Sequence, residues 1–148
     1  MANFDFGRLR DLERIVGDRM DQVVRGTLLD LSRRIVLRTP VGNPSLWASA
    51  PPAGYTGGQA KGNWQASIGS PETGTTSTID KSGAATLASI NGKVQNAPGN
   101  VFFLSNNLSY IGQLEYNAWS TQATEGMVRV SLRELDRSIN EQIADLPQ

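Results

Sequence analysis

Chemistry in this chain has to be done without histidine or cysteine, since the sequence contains neither. That removes the commonest general base, the commonest zinc ligand, the thiolate nucleophile and any disulfide. Carboxylates, hydroxyls, amines and aromatic rings remain. Two carboxylate pairs, Glu115 with Glu125 and Glu72 with Asp80, have the residue types for general acid–base work on a glycosidic bond. Each member sits among polar residues in a stretch that reads as exposed loop, where a carboxylate is simply solvated. The run Gly57-Gly58-Gln59-Ala60-Lys61-Gly62 is rich in glycine, like a phosphate-cradling loop. It lacks the spacing of such a loop and leads into a strand rather than a helix. No Asp-x-Asp-x-Asp-Gly calcium loop occurs. The expectation is a chain with no catalytic residues, no cofactor and no metal.

The aromatic residues carry more information. Thr39 to Ser67 holds four of the chain's seven prolines and two of its three tryptophans. Proline fixes φ and removes a backbone donor, and the pair Gly57-Gly58 invites positive φ, so the run is not helical. A solvated linker is poor in large aromatics, and this one contains Trp47, Tyr55 and Trp64. Trp47 and Tyr55 have no periodic partners and read as contact residues, because tryptophan and tyrosine are enriched at interface hot spots. Trp119 in a later loop reads the same way. Lys61, Tyr110, Glu115 and Tyr116 complete the interface candidates.

The elements that would position these residues follow from periodicity. Leu12, Val16, Met20, Val23, Leu28, Leu31 and Ile35 recur at helical steps, giving a long first helix over 1–38 that Thr39-Pro40 ends. Asp21–Arg25 and Asp30–Arg34 have the favourable acid-first order four residues apart. An extended loop over 39–62 follows. Within 63–125, Asn63 to Ile68 alternates as a strand with Trp64, Ala66 and Ile68 on one side. A short strand at Thr76–Ile79, a weak helix at Ala84–Asn91 packing Leu87 and Ile90, and a buried strand at Val101–Leu104 come next. Leu108 to Tyr116 is a helical turn with Ile111 and Leu114 inward. A final helix over 126–146 has the stripe Val128, Leu132, Leu135, Ile139, Ile143 and Leu146. The core candidates are Trp64, Ile68, Phe102, Leu104, Leu132, Leu135 and Ile139. The fold class expected is α+β: a long N-terminal helix and a C-terminal helix packed on a small, mainly antiparallel sheet, in one domain over 1–148.

Composition agrees with a modest core. Hydrophobic residues make up 39% of the 148-residue chain and mean hydropathy is −0.32, so part of the stability is expected from neighbours in an assembly. Net charge is zero, but residues 1–38 hold eight Arg against six Asp and Glu, while residues 111–148 hold three Arg against six. That polarity gives two charged helix faces, not the basic stripe of a nucleic-acid binder. No apolar run is long enough to span a membrane, and the first residues lack a signal-peptide core, so a soluble cytoplasmic product is expected.

Four blocks go further. Thr39-Pro40-Val41, then Tyr55 to Trp64 (YTGGQAKGNW), then Asn106 to Tyr116 (NNLSYIGQLEY), then Gln122 to Val128 (QATEGMV) together resemble the neck or tail-completion family of tailed bacteriophages, the type that includes the minor tail protein Z of lambda-like phages. The order is the family's, and the blocks extend along most of the chain. Thr124 stands where the family often has proline and Asn117 where it often has glycine. Gly42 to Gly54 looks like an insertion. The resemblance implies a non-enzymatic virion protein, made in the host cytoplasm and resident in the neck or tail. It implies a homo-oligomeric ring, commonly six-fold, that touches a portal-adaptor or head-completion protein on one side and a tail terminator or tail tube on the other. DNA would pass through the lumen without sequence-specific binding. A tail-terminator ring is the nearest alternative. A metal-dependent nucleic-acid-processing enzyme or a regulatory binding module would be a different class, the first needing a carboxylate cluster.

Overall fold

The computed structural model describes residues 6–46 and 48–147, so Trp47 lies outside the described residues. Helix α1 runs from Phe6 to Arg38, 33 residues and about 50 Å at 1.5 Å per residue. Both acid-first pairs form on it, Asp21–Arg25 at 3.9 Å and Asp30–Arg34 at 2.8 Å. Thr39 closes it: its N–H donates to the Ile35 and Val36 carbonyls, and its hydroxyl donates to Ile35 O at 2.7 Å. The helix continues through Gly26, where a Cβ would fall 1.8 Å from Gln142 Oε1. That glycine admits a side chain of the last helix.

After a 3₁₀ turn at Pro44–Leu46 come α2 (Gln59–Gly62), β1 (Gln65–Ile68), α3 (Ala84–Val94), β2 (Phe102–Ser105), α4 (Ile111–Tyr116), α5 (Val128–Arg133) and α6 (Leu135–Ala144). The sheet is β1 antiparallel to β2, with Gln65 opposite Ser105 and Ile68 opposite Phe102. Two strands alone are marginal in water, and here β1 leans on α3, which in turn packs on α1. The core gathers Ile35 and Val36 of α1, Trp64, Ile90 and Val94 of α3, Leu108, Leu114 and Met127. The mixed helix-and-sheet class is the one expected.

Several finer expectations change. Thr76–Ile79 is not a strand: Asn63 accepts the Thr76 N–H at 2.8 Å and donates to Thr76 O, holding the segment as a loop. Strand β2 is half-buried rather than buried, and Val101 is exposed, because α3 packs chiefly on β1. In β1, Ser67 is as buried as Trp64, its hydroxyl donating to Ser70 O at the turn, while Ile68 is only half-buried.

The expected last helix over 126–146 is two helices. Glu134 breaks it, with φ −97° and ψ 3°. The serine face on either side of the break, not the apolar stripe, is the one buried, so Leu132 is half exposed rather than core, and Leu135 and Ile139 are only half-buried. The fully buried positions are Ser131 and Ser138, small enough to let these helices approach α1. Ser138 donates to Asp30 at 2.6 Å, and Arg38 donates to Ser131 Oγ at 3.0 Å. Glu134 accepts from Arg34 at 2.6 Å and from Arg38 at 2.9 Å, and these bonds hold its carboxyl below the ordinary value. A polar seam thus takes the place expected for an apolar one.

Candidate functional site, an uncharged aromatic cleft

The residues of the four sequence blocks bond to one another. The Trp64 indole N–H donates to the Thr39 hydroxyl at 2.7 Å, joining the end of α1 to the start of β1. Val41 and Gln122 exchange two hydrogen bonds, the Val41 N–H donating to Gln122 Oε1 and the Gln122 amide donating to Val41 O. Asn106 donates to Ala60 O at 2.8 Å, and the Tyr110 hydroxyl lies 3.3 Å from Gln59 Oε1. First block to second, first to fourth, and second to third are all tied directly. Glu115 then ties the third block to the fourth.

The Gly57-Gly58 pair is part of this frame, with both φ values positive, at 74° and 88°. A Cβ on Gly57 would fall 2.3 Å from Gly42 O, so only glycine fits both the conformation and the space. The loop also faces Asp80, whose N–H donates to Gly58 O. The Asp80 carboxylate itself turns to the start of α3, and the glycines of the loop serve packing.

Two interface candidates are overturned. Glu115 is 6% exposed and accepts the backbone N–H groups of Met127, Val128 and Arg129 at 2.7, 2.9 and 2.9 Å. Those are donors at the start of α5, which no helical carbonyl can reach. Burial pushes the Glu115 carboxyl up, but the bonds from Arg129, Val128 and Met127 outweigh it and leave it below the ordinary value. Lys61 is 7% exposed, its stem packed near Gly83. Burial lowers its ammonium and Asp80 pulls the other way. Asp80 does for α3 what Glu115 does for α5, accepting the N–H groups of Gly83 and Thr86 and the Thr86 hydroxyl. The carboxylates first paired as acid–base candidates are therefore divided: Asp80 and Glu115 are helix caps, and Glu72 and Glu125 are exposed.

Tyr55, Tyr110 and Trp119 do come together. They line a cleft of about 660 Å³ between the Pro40–Pro52 stretch and the loop at Trp119–Gln122, floored by Ala60 and Leu114. Among its described lining residues none is charged. The Tyr110 and Trp119 rings lie 6.1 Å apart, tilted by 56°, a separation at which aromatic pairs attract. Trp119 remains 65% exposed. Burial raises the Tyr110 hydroxyl, with Tyr55 beside it adding to the effect. Tyr116 lies outside the cleft, its ring 5.0 Å below the Arg129 guanidinium. The resemblance-based blocks pointed to this frame; the cleft itself had no sequence signal beyond unpaired aromatics.

The turn presenting Trp119 is strained. Ala118 has φ +48°, the one positive-φ residue other than glycine among those described. The left-handed position falls one residue after Asn117, where glycine was the family expectation. Ala118→Gly is expected to raise stability by about 0.5 kcal/mol, since roughly 1 kcal/mol of strain is relieved against the extra freedom of glycine in the unfolded chain. Calorimetry should show a midpoint higher by about 1–2 °C.

Among the described residues no group of three or more Asp and Glu side chains is placed to hold a metal, and no helix is long and apolar enough to cross a membrane. No protein-family model, curated protein or solved structure matches the chain. The likeness to phage neck proteins therefore stands on the four blocks alone.

Proposed function

We propose that this chain is a structural virion protein of a tailed-phage neck. It assembles as a closed ring, six-fold in the pattern the resemblance implies, between the portal-side complex and the tail, and DNA leaves through its lumen. One observation carries the reading. The four blocks that resemble the family interlock as a single hydrogen-bonded frame, and the frame's open side is an uncharged cleft with an exposed tryptophan. A residue that large, exposed and apolar at a rigid cleft is a contact anchor. A ring whose copies contact head to tail presents the cleft of each subunit to a different surface of the next. Zero net charge suits a passage that must not grip phosphates.

The test is Trp119→Ala in the phage that encodes the chain. Because the side chain is mostly exposed, the variant folds with an unchanged thermal midpoint. Filled heads and free tails accumulate, and infectious titre falls by about 100-fold, the effect of losing one hot spot of roughly 3 kcal/mol. Full titre, or a particle map with the protein elsewhere than the neck, would overturn the reading.

A further inference from the structure

The cleft around Tyr110 and Trp119 has an unequal supply of hydrogen-bonding groups. Its side-chain amide oxygens are used inside the chain. Asn43 Oδ1 accepts the Ser45 N–H at 3.2 Å and the Ser45 hydroxyl at 2.7 Å. Gln59 Oε1 accepts the Tyr110 hydroxyl, and Gln122 spends both ends of its amide on Val41. The donors are left over. Among the described residues nothing accepts from the Asn43 amide, the Gln59 amide or the Trp119 indole N–H, and all three residues line the cleft. Ser120 Oγ accepts the Gln122 N–H, which leaves the hydroxyl proton to give.

We infer that the cleft seats an extended, proline-rich segment of a partner protein. A polyproline II backbone makes no internal hydrogen bonds, and each proline keeps its carbonyl while lacking an N–H. Such a segment takes donors and asks for no acceptor. An extended segment of other residues brings N–H groups that need acceptors. A neutral oligosaccharide brings hydroxyls that donate as well as accept. The shape points the same way. The Tyr110 and Trp119 rings are tilted by 56° at 6.1 Å, so they form a notch for the edge of a ring rather than a flat platform. Aromatic-lined grooves are the usual seat of proline-rich segments. No described lining residue is charged, so a neutral segment leaves no charge buried and unpaired. The chain's one proline pair, Pro51-Pro52, is built into the cleft's own wall at Pro52, so the segment comes from a different protein.

The inference rests on the reading of the cleft as a contact site and names what enters it. A segment seated there lies where one subunit meets the next. It does not depend on a position in a neck.

A polyproline decamer, acetylated and amidated, is the probe. Titrated into the full chain labelled with nitrogen-15, it should shift the Trp119 indole and the Asn43 and Gln59 side-chain amide resonances together, saturating below about 1 mM. A capped glycine–serine decamer and cellohexaose should bind at least tenfold more weakly. Trp119→Ala should lose binding. Asn43→Asp and Gln59→Glu each keep the oxygen bonded inside the chain and replace the donor with an acceptor. Each should weaken binding about fivefold at an unchanged thermal midpoint. Trp119→Phe, which keeps a ring and loses the N–H, should do the same. Equal binding of the glycine–serine peptide or tighter binding of the oligosaccharide would overturn the inference, and so would full affinity in the three donor variants. Self-association that Trp119→Ala abolishes, with no polyproline binding, would assign the cleft to a second copy instead. If polyproline fails to bind while Trp119→Ala still blocks phage assembly, the occupant is wrong and the contact site stands. If it binds while Trp119→Ala leaves full titre, the site stands and the neck reading falls.

Discussion

Replacing Glu115 with alanine is expected to remove about 3 kcal/mol of stability and to fray the first turn of α5. The carboxylate accepts three backbone N–H groups and the Arg129 Nε–H at 3.2 Å. Hydrogen bonds to an ionised group contribute about 1.5–3 kcal/mol, and here their loss also leaves buried donors without partners. Glu115→Gln keeps one acceptor oxygen and is expected to lose about half as much. The pH dependence separates charge from shape. The folded-state acidity of Glu115 is stronger than that of an unfolded glutamate, so its stabilising effect is fully present above the unfolded pKa of about 4.3 and is lost as pH falls through the lower folded value. Asp30, Asp80 and Glu134 are shifted the same way. Wild-type stability should therefore be flat from about pH 5 to 8, where no histidine titrates, and should fall below about pH 4. Glu115→Ala should show a shallower acid limb. Denaturant midpoints against pH would check this, and parallel curves down to pH 3 would refute the capping role.

Where local rules decide an element, the sequence is a good guide. The end of α1 at Thr39-Pro40, the pairs Asp21–Arg25 and Asp30–Arg34, and the positive φ of Gly57 and Gly58 are all local matters and all read directly. The failures have one cause: position in a helix or strand does not say what lies opposite. The stripe through Leu132 is regular, but Glu134 is drawn to Arg34 and Arg38 a hundred residues away in sequence, and the helix breaks there. Leu12, Val16 and Met20 read as inward-facing, yet burial begins only at residue 21 and all three are more than half exposed. Glu115 and Lys61 read as surface groups because charge usually is. Their burial depends on α5 needing an acceptor at its start, and on the turn at Gly83 that the lysine stem packs near. Aromatics in loops were the only sign of the cleft. The two-stranded sheet is the corollary: with most hydrophobic residues spent on helices, nothing remains to extend it.

Trp64→Ala is expected to have the largest effect of all, about 4 kcal/mol, against a total of roughly 5–15 kcal/mol for a domain. Trp64 is 8% exposed and packs among the core residues of α1 and α3. Its indole also closes a relay in which Trp64 donates to the Thr39 hydroxyl and that hydroxyl donates to Ile35 O. Trp64→Phe should keep most of the packing and lose only the N–H bond, at about 1–1.5 kcal/mol. Thr39→Val removes both bonds of the relay. If the relay acts as a unit, the two single losses are not additive, and a double-mutant cycle should return a coupling of about 1 kcal/mol. Additive losses would mean that Trp64 acts by volume alone. The consequence reaches the cleft. Thr39-Pro40-Val41 is held at one end by Trp64 and at the other by Gln122. Freeing the first end should lower hydrogen-exchange protection at residues 39–41 and 120–123 well before the global transition. A tryptophan that sits at the domain's centre would then loosen the wall on which Trp119 is presented, and Trp64→Phe would weaken assembly in a protein that still folds.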